Sequence, residues 1–223
     1  MKSTAHGRAV SENPHLATPA LVVVIDDDPM VRGSMDSLFR SVGLRTKLYE
    51  TARDALAAPL PDEVCCFVVD IRLPHIGGLE FQSALSARGD DPTIIFVTGH
   101  GDIPMSVRAM KAGAADFLSK PFRDQELLDA VTRALDRDTE RREQNERKSS
   151  IRSRYEKLSP RERQVMRHVS AGRMNKQVAG ELGLSDITVK LHRANMMKKM
   201  EAYTVVDLVL MWETLESDFR TLL

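Results

Sequence analysis

The residues able to do chemistry cluster at the ends of short apolar runs. Leu21 to Ile25 leads straight into Asp26, Asp27 and Asp28, and Val64 to Val69 ends at Asp70. Thr93 to Thr98 ends at a hydroxyl, and Ala115 to Ser119 is followed by Lys120 and Pro121. Carboxylates drawn together repel one another and raise each other's pKa, so an ionised group of them asks for a cation. With oxygen donors alone, Mg2+ is the natural choice. Taken singly, these residues have plainer readings: Asp28 suits the cap of the following helix, Thr98 a loop hydroxyl, Lys120 a solvated charge. Their order on successive runs is what points to one site.

The apolar runs read as buried strands, with Leu44 to Tyr49 a weaker fifth. Between the first two, Val31, Met35, Leu38, Phe39 and Val42 recur on one helix face. Further helices are predicted at 51 to 58, 78 to 87, 104 to 112 and from 123 onward. Alternating strands and helices predict an α/β doubly wound five-stranded parallel sheet, in which chemistry gathers at the carboxyl ends of the strands.

The chain divides by pattern and by charge. Residues 1–20 lack periodicity and are expected to be a disordered leader, and 21–136 hold the sheet. Asp136 to Ser150 contains no apolar residue, while Asp138 with Arg142 and Glu143 with Arg147 place acid before base at the helical spacing. Residues 137–155 therefore read as a charged helical linker without a core, with flexibility near Ser149 and Ser150. Short helices fill 156–223 as a small all-α domain. The 32 basic and 32 acidic residues of the whole chain cancel, yet 21–136 carry net −6 and 151–200 net +8. A basic helical module is the electrostatic footprint expected for nucleic acid.

At 223 residues, 42% apolar and 29% charged, the chain suits two small globular domains. No apolar run approaches the roughly 18 residues of a membrane span, and residues 1–20 lack the apolar centre of a secretory signal. Cys65 and Cys66, adjacent in an apolar run, fit neither a disulfide framework nor a metal site, so a reducing cytoplasm is expected.

The set Ile25-Asp26-Asp27-Asp28, Val69-Asp70-Ile71-Arg72-Leu73-Pro74, Val97-Thr98-Gly99-His100-Gly101 and Leu118-Ser119-Lys120-Pro121-Phe122 resembles the flavodoxin-like receiver domain of two-component response regulators. The resemblance implies Asp70 as phosphoacceptor. It also implies Mg2+ held by Asp26, Asp27, Asp70 and the backbone carbonyl of Arg72, with Thr98 and Lys120 sensing the phosphoryl group and Phe117 as the switch aromatic. Elementary chemistry agrees: a carboxylate attacks phosphorus only when anionic repulsion is reduced, which Mg2+ and the Lys120 ammonium would do. For Phe117 core packing is the plainer role, and for His100 loop conformation.

In the basic half, Leu158-Ser159-Pro160-Arg161-Glu162 reads as a helix start, with Ser159 as cap. Helices are predicted at Arg161 to Ala171, Asn175 to Leu182 and Ser185 to Met200. Ala179, Gly183 and Val189 have the spacing of a helix-turn-helix. These segments, with Asn175-Lys176-Gln177-Val178-Ala179 and Thr188-Val189-Lys190-Leu191-His192-Arg193, resemble the LuxR-type DNA-binding domain. The two halves together resemble the FixJ/NarL family, FixJ-like branch.

Helical geometry then places Val189, His192, Met196 and Met200 inward, and Ile187, Lys190, Leu191, Ala194 and Lys198 on a stripe that can enter a major groove. Lys190 would reach a guanine edge or phosphate, and Leu191 a base or thymine methyl. Asn175, Lys176, Gln177 and Arg193 are suited to phosphate, and Thr188 completes the DNA-facing set.

The expected function is a cytoplasmic, phosphorylation-dependent transcriptional regulator rather than an enzyme, with at most self-phosphorylation from small donors and autodephosphorylation. Its partners would be a sensor histidine kinase, promoter DNA, a second copy on activation, and RNA polymerase. Dimerisation and release of the DNA-binding domain both remain open as the switch. Two rival readings stand beside it. A receiver could act through protein contacts alone. Asp26-x-Asp28 also occurs in haloacid-dehalogenase-like phosphatases, but Met30 departs from that pattern, and no Gly-Asp-x-x-x-Asp follows Lys120.

Overall fold

The computed structural model describes residues 20–99 and 103–221. The expected leader, apart from Ala20, and the His100-Gly101-Asp102 segment lie outside them. Five strands, β1 (Leu21–Ile25), β2 (Arg45–Tyr49), β3 (Cys65–Asp70), β4 (Ile94–Thr98) and β5 (Asp116–Ser119), form one parallel sheet in the order β2-β1-β3-β4-β5. The helices between them are α1 (Pro29–Ser41), α2 (Ala52–Ala57), α3 (Gly78–Ala87) and α4 (Ile103–Lys111), with α5 (Asp124–Glu156) after β5.

Strand residues alternate between two buried layers, as a two-residue period requires. Val23, Ile25, Phe67, Val69 and Phe96 face Ala52, Phe81, Leu85 and Ala109. Val22, Val24, Cys66, Val68, Ile95 and Val97 face Met35 and Phe39 of α1 and Leu127, Val131 and Leu135 of α5. The central strands are covered on both sides, which is why they read as continuous apolar runs. β1 is flanked by β2 on one side and β3 on the other, so the strand order reverses between the carboxyl ends of β1 and β3. A doubly wound sheet opens its crevice there.

Two expectations about the linker change. Helix α5 passes through Ser149 and Ser150 without a break, since acid-base spacings and good helix formers sustain it. The charged stretch is also partly anchored. Asp138 is fully buried, accepting from the Cys65 amide at 3.0 Å and pairing with Arg141 at 2.5 Å.

Contacts divide the chain within α5, between Arg141 and Arg142. In the second unit α6 (Pro160–Ser170), α7 (Asn175–Leu182), α8 (Asp186–Met200) and α9 (Val205–Thr221) follow. Ser159 Oγ accepts from the Glu162 amide while Glu162 accepts from the Ser159 amide, the reciprocal cap read from the sequence. Gly183 turns the chain after α7 at φ 66°, the left-handed region glycine enters most readily. Val165, Met166, Val178, Val189, Met196, Met200 and Leu208 form the core. At 17 residues, α9 is longer than the short helices expected there.

Candidate functional site

The carboxyl ends of β1, β3, β4 and β5 converge as the fold class requires. Asp26 and Asp70 are buried and Asp27 is exposed, and each offers a carboxylate oxygen within 4.8 Å of the others. The Lys120 ammonium lies between the two buried ones, 2.6 Å from Asp26 Oδ2 and 2.7 Å from Asp70 Oδ2. Each carboxylate uses its second oxygen on a backbone amide. Asp28 N donates to Asp26 at 3.0 Å and Arg72 N to Asp70 at 2.8 Å. The Lys120 amide continues the β4–β5 ladder by donating to the Thr98 carbonyl at 2.7 Å. Thr98 itself is fully buried.

Burial pushes the Asp26 carboxyl above its ordinary range, and the Lys120 and Asp28 hydrogen bonds only partly offset it. Burial also works against the Lys120 charge, but its bonds to Asp26 and Asp70 prevail and hold its pKa up. Three carboxylates against one ammonium leave an excess of negative charge in a mostly buried crevice. The donor set is all oxygen, so the residues fit a hard divalent cation.

Asp28 caps α1, accepting from the amides of Met30 at 2.8 Å and Val31 at 3.4 Å. It thus serves as the cap of the following helix, the plainer role read from the sequence. Phe117, on β5, is half-buried and packs against the layer that contains Phe96.

The second unit holds the other site residues. Lys176, Leu191, Ala194 and Lys198 are exposed, and neither Lys176 nor Lys198 makes an ion pair among the described residues. Their neighbours are engaged within the protein. Lys190 pairs with Asp186 at 2.9 Å, Arg193 donates to Asn175 Oδ1 at 2.9 Å, and Thr188 Oγ1 meets Ser185 Oγ at 2.7 Å. Gln177 folds back onto the Met174 amide at 2.8 Å as part of the α7 cap. Short polar side chains at a helix start satisfy local donors first, as Gln177 does here.

The response regulator receiver domain matches residues 22–132, and the luxR family of bacterial regulatory proteins matches 156–212. Nodulation protein W of Bradyrhizobium diazoefficiens is 54% identical over 199 residues, 89% of this chain and 88% of that protein. Transcriptional regulatory protein FixJ of Azorhizobium caulinodans is 45% identical over 190 residues, 85% and 90% of the two chains. The solved structure of response regulator StyR, 42% identical, matches with a TM-score of 0.79 over 88% of this chain and 99% of its own.

The chain belongs to the FixJ/NarL family of two-component response regulators. The response regulator thus joins a receiver to a LuxR-type DNA-binding domain, and it is homologous to phosphorylation-dependent transcriptional regulators. Among the described residues, no helix is long and apolar enough to cross a membrane.

Three residues that shape the receiver site escaped sequence reasoning. Arg32 donates to the Asp26 carbonyl at 2.5 Å and lies 3.8 Å from Glu50, holding the backbone that carries the first carboxylate. A Cβ on Gly78 would stand 2.7 Å from the Asp70 carbonyl oxygen, so only glycine lets α3 approach β3 this closely. Asp138 ties α5 to the opposite end of that strand. The Gly77-Gly78 pair was a visible signal for the second. Arg32 and Asp138 look like any other charges of an amphipathic helix.

Proposed function

We propose that Asp70 accepts a phosphoryl group from a sensor histidine kinase and that this controls DNA binding by the C-terminal domain. What carries the reading is Lys120 seated between Asp26 and Asp70 beside the exposed Asp27. Asp26, Asp27, Asp70 and the Arg72 carbonyl would hold Mg2+, which reduces repulsion between the entering phosphoryl donor and the carboxylate. Asp70 supplies the nucleophilic oxygen. Lys120 already neutralises Asp70 and is placed to pair with a phosphoryl oxygen. Thr98, one strand away, donates its hydroxyl to another.

Phosphorylation adds roughly −1.5 to −2 charge and three acceptor oxygens. Drawing Thr98 toward them opens space behind it, into which Phe117 turns, and the α4-β5-α5 face changes. Two copies then pair, the DNA-binding domain is released, or both. Paired domains present two recognition helices to half-sites about one turn of DNA apart. Lys190, Leu191, Ala194 and Lys198 of α8 enter the major groove, with Thr188 at its start. Lys176 meets phosphate, joined by Asn175, Gln177 and Arg193 when DNA displaces their present partners. Transcription of a promoter through RNA polymerase, in the cytoplasm, is the output.

Small phosphodonors should label the same carboxylate. Acetyl phosphate with Mg2+ is expected to label the wild type and leave Asp70→Asn unlabelled. Full labelling of Asp70→Asn would overturn the assignment. Phosphorylated protein that retards no genomic fragment would instead favour action through protein contacts alone.

A further inference from the structure

In a helix-turn-helix, the first turns of the second helix meet the edges of the bases. The first turns of α8 carry two exposed apolar side chains. Ile187 is 80% and Leu191 60% exposed, four residues apart on one face, and exposed Ala194 follows on the same stripe. The polar side chains beside them have partners: Lys190 on Asp186, Thr188 on Ser185 and Arg193 on Asn175. Ile187 and Leu191 therefore add methyl and methylene surface to the groove-facing stripe, beside the exposed Lys190 side chain. Truncating these side chains would not disturb the core, which on this helix is Val189, Met196 and Met200.

A base edge in the major groove has one apolar feature, the C5-methyl of thymine. Four residues along a helix span about 6 Å, and stacked bases rise about 3.4 Å, so the two side chains reach bases no more than about two steps apart. Resting on the DNA-binding reading above, we infer that Ile187 and Leu191 are specificity-determining residues that select thymines in each half-site through the 5-methyl group. Lys176 supplies attraction to phosphate without regard to sequence.

Replacing thymine by deoxyuridine tests this, because it removes the methyl and leaves pairing and phosphates unchanged. A duplex selected from genomic fragments by the full chain, phosphorylated with acetyl phosphate, is substituted one thymine at a time and titrated by fluorescence anisotropy at fixed salt. Burying one methyl group corresponds to a loss of about fourfold in affinity when it is removed. One or two positions per half-site should show that loss with wild type. Ile187→Ala should abolish it at one of them and Leu191→Ala at the other. Lys176→Ala should weaken binding to every duplex, lower the salt slope by about one, and leave the deoxyuridine pattern intact.

Normal binding with no sensitive thymine overturns the inference alone. So does equal sensitivity in wild type, Ile187→Ala and Leu191→Ala, or a change of oligomeric state in those variants with the thymine pattern unchanged. Failure of the phosphorylated wild type to bind any fragment overturns the DNA-binding reading beneath it.

Discussion

Adding a single methyl group at Gly78 should damage both the stability and the chemistry of the receiver. The new Cβ would lie 2.7 Å from the Asp70 carbonyl oxygen and 3.0 Å from both Ile71 Cα and Phe96 Cε1, where ordinary contact begins at 3.4 Å. Two of those three atoms are backbone, and Phe96 is fully buried, so neither side yields easily. The Gly78 amide is also tied to the Ile71 carbonyl at 2.9 Å, so α3 cannot withdraw without losing that bond.

Overpacking of this kind costs about 1–3 kcal/mol. Alanine's better helix propensity returns up to about 1 kcal/mol, less at a first helical position. The net loss should be about 1–2 kcal/mol, or on the order of 5 °C in Tm for a domain of this size. Displacement of the Asp70 peptide by a few tenths of an ångström should slow acetyl phosphate labelling by roughly up to tenfold, given how steeply reaction falls with misplacement.

Urea denaturation and the labelling rate measure the two effects, and Gly33→Ala in α1 is the internal control. A Cβ there meets nothing within 4 Å, so that variant should gain about 0.5–1 kcal/mol. Gly78→Ala as stable as Gly33→Ala, with an unchanged labelling rate, would refute the reasoning.

Other consequences follow from the same contacts. Asp138→Ala removes the acceptor from the Cys65 amide and should cost about 1–3 kcal/mol in urea unfolding, with Asp138→Asn closer to wild type. Glu162 is buried, which would raise its pKa, but bonds from Lys199 at 2.7 Å and from Ser159 hold it below the ordinary glutamate range. A depressed acid stabilises the fold above its unfolded pKa, and that contribution is lost as pH falls through the lower folded value. Unfolding midpoints of the wild type should therefore drop on acidification below about pH 5, and Glu162→Gln should be weaker at neutral pH with a flatter acid profile. Because burial holds Asp26 above its usual pKa, its charge opposes folding at neutral pH. In EDTA at pH 7 Asp26→Asn should match or exceed wild type, and added Mg2+ should raise the midpoint of wild type more than that of the variant.

Much of this protein is legible in its amino-acid order because the needed signals are local. Strand runs buried on both faces are apolar throughout, and Asp26, Asp70, Thr98 and Lys120 announce themselves by ending such runs. The reciprocal Ser159–Glu162 cap and the Gly183 turn depend on residues a few positions apart. Long-range contacts left no such mark. The Asp138 bond to Cys65 joins residues far apart in the chain, and nothing in a charged stretch says which carboxylate turns inward. The Arg193 bond to Asn175 likewise joins two helices and depends on which neighbours packing brings close.

What the sequence determined by itself was the set of reactive groups, the strands that carry them, and the division into an acidic and a basic half. Packing alone seats Lys120 between Asp26 and Asp70, makes Gly78 give room to the Asp70 backbone, and turns Asp138 inward onto the Cys65 amide. Those are distances and exposures between side chains, and they exist only once packing has chosen which neighbours each group keeps.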